Sequence, residues 1–209
     1  MSDRLLASSP LAPEARPVLD GLVAESILRY GSQGRADPRA EVDRYPPEAF
    51  APPLGAFLLL RHGEWTIGGG AFMSHDDETV ELKRIWTHPD LRRQGLARRI
   101  VLALEAEAGA LGYTRAFLTT GFRQPEAVSL YLSLGYRPLF DQAVDPALYR
   151  VLPFEKRIGA RAGEPGRSSP RQPSATPDAA VIEASRIKAE QERVILARLA
   201  RFPLPLAAE

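Results

Sequence analysis

Two arginines, a glutamine and a glycine in succession can hold an anion. In Arg92-Arg93-Gln94-Gly95-Leu96-Ala97 the glycine lets the backbone bend so that successive amides point into one concavity, and such a nest binds phosphate or pyrophosphate through the main chain. The segment separates a stretch of strand character from one of helical character, so the positive end of the helix dipole adds to the amides. The Arg/Gln-x-x-Gly-x-Gly/Ala pattern is common by itself, and the plain alternative is a helix start rich in surface arginine. Cysteine is absent, which removes a disulfide framework, a thiolate metal site and a thiol nucleophile together. His62, His75 and His88 stand singly in turn-like sequence and read as solvent-facing.

The elements that must position this loop follow from periodicity. Val18, Leu22, Val23, Ile27 and Leu28 recur at helical spacing and close on Gly31, predicting an amphipathic helix over 13–31. A second, weaker helix is expected over 39–50, interrupted by Pro46 and Pro47. Strands are expected over 56–60 and 65–73, a hairpin turning at His62-Gly63-Glu64, and over 79–87 before His88-Pro89 breaks the pattern. Three consecutive glycines, Gly68 to Gly70, would weaken the second of these strands unless something packs very close to its backbone. Helix resumes after Gly95 with Ile100, Val101, Leu104, Ala108 and Leu111 as its stripe and Gly112 as its stop. A strand over 113–120, a helix from Pro125 to Gly135, and closing strands over 136–140 and 148–154 complete the series; Pro153 should stop, bulge or open the last strand.

Residues 159–177 are dominated by glycine, proline, serine and arginine and read as a disordered linker. Thr176-Pro177-Asp178 then offers a capping hydroxyl, a first-turn proline and an acid at the positive dipole end, predicting a helix over 178–202 ended by Pro203. The expected organisation is one catalytic domain over 1–158, the linker, and this helix. With 209 residues and 44% hydrophobic content, one sizeable core can be buried. Basic and acidic residues number 27 and 26, a balance that argues against a nucleic-acid partner. No apolar run approaches the length of a membrane span and residues 1–10 lack a signal pattern, so a soluble, cytoplasmic protein is expected.

Three blocks carry a resemblance. Glu81-Leu82-Lys83-Arg84-Ile85-Trp86-Thr87-His88-Pro89 followed by Leu91 to Ala97, then Gln124-Pro125-Glu126-Ala127-Val128-Ser129-Leu130-Tyr131, then Leu134-Gly135-Tyr136 resemble, in order and spacing, the GNAT superfamily of N-acetyltransferases, from about residue 17 to 158. Small bacterial members with a Glu-Leu-Lys-Arg strand and an Arg-Gln-Pro-Glu-Ala helix start are the most similar group. The resemblance implies an α/β (α+β) fold, a mixed, mostly antiparallel sheet flanked by helices, whose central strands splay beyond a bulge. It implies acetyl-CoA as donor substrate and no metal.

Residue by residue, the resemblance implies that the backbone of Ile85, Trp86 and Thr87 pairs with the pantetheine arm. The pyrophosphate would rest on the amides of Arg93, Gln94, Gly95, Leu96 and Ala97, with Arg92 or Arg93 adding a charged contact. Tyr131 falls where many members place the phenol that protonates the departing thiolate; the alternative is an ordinary core tyrosine on an amphipathic helix, against which only the motif speaks. Glu81 is the general-base candidate, and the alternative is a strand carboxylate paired with Lys83 or Arg84. His75 could lie at the acceptor mouth, and Asp141 and Asp145 in the 140–148 loop could attract a cation.

The resulting expectation is an N-acetyltransferase acting by direct attack of an amine, small-molecule or peptide, in a ternary complex. Two other readings stay open: a non-catalytic acyl-CoA sensor, and a module whose C-terminal helix, 178–202, docks on a partner or makes a homodimer.

Overall fold

A computed structural model describes residues 2–31, 37–164, 166 and 169–202. Alternating apolar side chains build one seven-stranded sheet. Its strands are β1 (Asp3–Ala7), β2 (Gly55–His62), β3 (Trp65–Ser74), β4 (Thr79–Thr87), β5 (Arg115–Gly121), β6 (Arg137–Pro138) and β7 (Val151–Arg157). The spatial order is β1-β2-β3-β4-β5-β7-β6, antiparallel except where β4 lies parallel to β5. Period-two alternation sends Leu58, Leu60 and Phe72 to one face and Phe57, Leu59, Ala71 and Met73 to the other, so a separate core forms on each side.

Helix α1 (Arg16–Tyr30) covers the second face and α3 (Leu96–Ala110) the first, each pressed against the glycines of β3. A Cβ at Gly69 would sit 2.9 Å from Val18 of α1, and one at Gly70 would sit 2.9 Å from Ile100 and 3.0 Å from Leu104 of α3. The three glycines thus let a helix approach each face of the central strand, as their sequence suggested. The shorter helices are α2 (Pro38–Val42), α4 (Pro125–Ser133) and α5 (Pro146–Tyr149).

Several boundaries differ from expectation. The helix foreseen over 39–50 is α2 followed, after Pro46, by a single tight turn over Pro47–Phe50. Leu148 and Tyr149 belong to α5, where Asp145 caps the chain, so the last strand starts at Val151 and runs on to Arg157. It neither stops nor opens at Pro153: the carbonyl of that residue accepts from Leu139, so its missing N–H faces β6 rather than the ladder with β5. Edge strand β1 carries no sequence signal strong enough to have been foreseen, because its burial comes from pairing with β2. Leu28, placed on the apolar stripe of the first helix, is 86% exposed.

The C-terminal helix α6 (Pro177–Arg201) folds back on the sheet. Thr176 caps it, as its sequence announced, while Pro203 lies outside the described residues. Its buried face is Ala180, Gln191 and Ile195, the last fully buried in the core under α1.

Candidate active site

The opening of the sheet is a consequence of one extra residue. Gly69 pairs with Trp86 and Ala71 with Lys83, so two residues of β4, Arg84 and Ile85, oppose one of β3, Gly70, and Arg84 takes a left-handed φ of 59° to absorb the excess. The ladder between β4 and β5 covers only Thr79 to Leu82 against Arg115 to Leu118. Beyond it β4 stays with β3, through Gly68 opposite Thr87, while β5 stays with β7 to Gly121. A wedge therefore opens between the second halves of two neighbouring strands, with Ile85, Trp86 and Thr87 on one lip. The Trp86 ring packs beneath α1, where a Cβ on Gly21 would sit 2.3 Å from it, leaving the backbone of that residue as its contribution to the wedge. Arg84 is held by the Val42 carbonyl and lies 4.0 Å above the Phe50 ring; burial draws its guanidinium down to about 10.

At the end of β4 the chain makes one tight turn, Pro89–Leu91, and reaches the predicted nest. Arg93 and Gly95 both adopt left-handed φ, 62° and 76°, the alternation that turns amides inward. Gly95 is the N-cap of α3 and no side chain caps the helix, so the amides at Leu96 and Ala97 present the positive dipole end unoccupied by a protein acceptor. Of the two arginines, Arg92 is engaged by Glu25 of α1 at 3.0 Å, whereas Arg93 is exposed and forms no ion pair among the described residues. Gln94 is exposed beside it.

A cavity of about 680 Å³ lies between strands β4, β5 and β7 and helix α6. Glu81 reaches it from β4; it is 5% exposed and holds Lys83 at 2.6 Å. Tyr45 and Phe117 line it as well, Tyr45 with the Lys83 ammonium 4.9 Å from its ring centre. Burial, reinforced by the charge of Glu81, pushes the Tyr45 phenol above its usual range. Tyr131 is not part of this wall. It sits on α4 with its ring 5.6 Å from those of Tyr136 and Phe154, almost fully buried, and its hydroxyl meets no hydrogen-bond partner among the described residues. Burial raises its phenol too.

The structure thus brings Glu81 to the cavity and sets the nest just beyond the end of β4, where Gln94 and Leu96 border a second cavity with His62, Trp65 and His88, but seats Tyr131 among core aromatics. Of the three histidines, His62 is exposed as expected, whereas His75 and His88 are partly buried. His75 is half-buried, 5.4 Å from the Phe117 ring, and accepts from Arg171; His62 pairs with Asp3 at 2.8 Å. Asp141 and Asp145 cap backbone turns at Ala143 and Ala147 and stay outside the cavity wall. Sequence reasoning missed Tyr45, Glu41 and the inward side of α6, which reach the site only through tertiary packing and carry no local signal. No group of three or more metal-ligating side chains occurs among the described residues.

Strand order, splayed wedge and amide nest meet in one comparison: the profile of the Acetyltransferase (GNAT) family matches residues 24–136. The chain belongs to that family. Among curated relatives, the uncharacterized N-acetyltransferase YjgM of Escherichia coli K12 is 26% identical over 92 residues, 43% of this chain and 55% of its own. The IAA acetyltransferase of Azospirillum brasilense is 30% identical over 103 residues, 45% of this chain and 67% of its own. The chain therefore spans little more than half of the first relative's length. The PaiA N-acetyltransferase of Thermoplasma acidophilum, solved in complex with coenzyme A, superposes with a TM-score of 0.58 at 16% identity, over 76% of this chain and 100% of that one. At that identity the likeness is one of fold. No helix among the described residues is long and apolar enough to cross a membrane.

Proposed function

We propose that this GNAT protein transfers the acetyl group of acetyl-CoA to an amine by direct attack within a ternary complex. The observation that carries the reading is the wedge where β4 leaves β5 at Leu82, followed in the chain after β4 by the uncapped amides of the Gly95 nest. The pantetheine arm would lie along the free side of Ile85, Trp86 and Thr87 as a surrogate strand, and the pyrophosphate on Arg93 to Ala97, with Arg93 free to add charge. The coenzyme found with the Thermoplasma neighbour supports this choice of donor.

In the transfer, the amine nitrogen forms a bond to the thioester carbon, the carbon–sulfur bond breaks, the amine loses a proton and the thiolate gains one. Glu81 borders the acceptor cavity and accepts the ammonium proton directly or through water, with Lys83 fixing the carboxylate. Tyr131 is assigned to the thiolate. The chain domain would span 1–158, the linker 159–177 and the helix 178–202.

Gly95→Val tests the cradle. No atom lies within 4 Å of a Cβ built there, so the harm comes from the left-handed backbone rather than from crowding. Calorimetry should show acetyl-CoA binding weakened about tenfold or more, the size of one such strain released into a different loop path. Unchanged affinity in the folded variant would take the nest out of the site.

A further inference from the structure

The Thermoplasma neighbour is matched over its whole length by 76% of this chain, and about a quarter of the chain lies beyond Ile158. Its described residues are anchored to the domain. Arg171 stacks 4.8 Å from the Phe117 ring and its backbone N–H donates to Glu155 at 3.2 Å. Further on, Gln191 donates to the Ser74 carbonyl at 2.9 Å, Lys188 pairs with Glu41 at 2.6 Å and Arg198 with Asp77 at 2.6 Å. Between these anchors, Ser174, Val181, Glu183, Ala184 and Lys188 face the cavity that Glu81 borders.

We propose that residues 169–176 and α6 form a roof in cis over the acceptor cleft, and that the roofed cavity selects a free amine carrying its own carboxylate, of amino-acid size. This rests on the acetyltransferase reading above. A polypeptide acceptor would meet α6, held by Ile195 in the core and by ion pairs to Glu41 and Asp77, whereas a small amine enters a space of about 680 Å³. Charge makes the second half of the argument. The wall carries three carboxylates, Glu41, Glu81 and Glu183, against four cations, Lys83, Arg150, Arg171 and Lys188, a net of +1.

Each carboxylate already holds a cation: Glu81 has Lys83, Glu41 has Lys188 and Glu183 has Arg186. Arg150 forms no ion pair among the described residues and stands at the wall on a left-handed φ of 61°. A polyamine would find no uncompensated negative charge, while a carboxylate on the acceptor finds Arg150.

The test uses full-length protein and acetyl-CoA, measuring thiol release with the standard amino acids, spermidine and a lysine-containing peptide longer than the cavity. At least one amino acid should exceed both of the others in kcat/KM by about tenfold or more, the discrimination expected when a site's charged group finds its partner. Ala184→Trp should fill the cavity from the roof and cut that kcat/KM by about tenfold or more while coenzyme affinity stays unchanged, and Ile182→Trp, on the outward face, should change neither. If the Ala184 variant melts early, Val181→Trp serves on the same wall. Peptide or spermidine turnover equal to that of every amino acid overturns the proposal, as does wild-type turnover in the roof variant. Coenzyme binding without thiol release from any amine also overturns it; loss of coenzyme binding overturns the acetyltransferase reading beneath it.

Discussion

Tyr131 owes its assignment to sequence position, and its surroundings define what it can do. A phenol raised by burial above its ordinary value near 10 gives its proton to a thiolate of pKa about 8.5 only uphill. Its contribution would then be a hydrogen bond to charge growing on sulfur, more than complete proton transfer. Tyr131→Phe should lower steady-state turnover roughly 10- to 1000-fold. Because the hydroxyl has no protein partner among the described residues, the variant should melt at or slightly above the wild-type temperature. Undiminished turnover would leave water as the proton source and Tyr131 as a packing residue. Glu81→Gln keeps the shape of the wall but leaves Lys83 without its 2.6 Å partner. If Glu81 is the base, kcat in that variant should fall by roughly 100-fold or more and lose its acidic limb in the pH profile; a fall in stability with kcat intact would mark the pair as structural.

At the scale of elements, the latch around Arg171 makes a prediction about pH. Burial, followed by the Arg171 charge, holds His75 below the usual imidazole range, and the neutral ring is the form that accepts from Arg171. Glu81 and Asp76 pull the other way and Lys83 adds to the depression. The stability this ring lends is complete above its unfolded pKa of about 6.5 and is lost as pH falls through its lower folded value. Melting measured from pH 7.5 down to 5 should therefore decline, and His75→Gln should flatten that decline; parallel curves would exclude the latch. Such elements were unevenly legible. Gly95, the apolar stripe of α3 and the Thr176 cap act through neighbours a few residues away, so their sequence suffices. The bulge at Arg84 and the buried Gln191 do not announce themselves. Arg84 adopts a conformation that arginine rarely takes because β3 and the Phe50 ring hold it there, and Gln191 is polar in a face read only for apolar residues.

For the whole molecule, the C-terminal helix is continuous with the second core. Ile195→Ala should cost about 2 to 4 kcal/mol and lower Tm by roughly 5 to 15 °C if roof and domain unfold together. A separate low-temperature transition of small amplitude would mean that the helix undocks by itself. The family could be read from the loop, the strand and the helix start together, since each of those blocks is contiguous in sequence. The acceptor side was not legible, because Tyr45, Phe117, Arg150 and the inner face of α6 come from distant parts of the chain and meet only in the fold. The most direct measurement of the central claim is paired: thiol release from acetyl-CoA and the mass of the amine, followed in one reaction over an amine panel. The account predicts amine-dependent thiol release matched mole for mole by an acceptor heavier by one acetyl group; tight coenzyme binding with no amine-dependent release would contradict it.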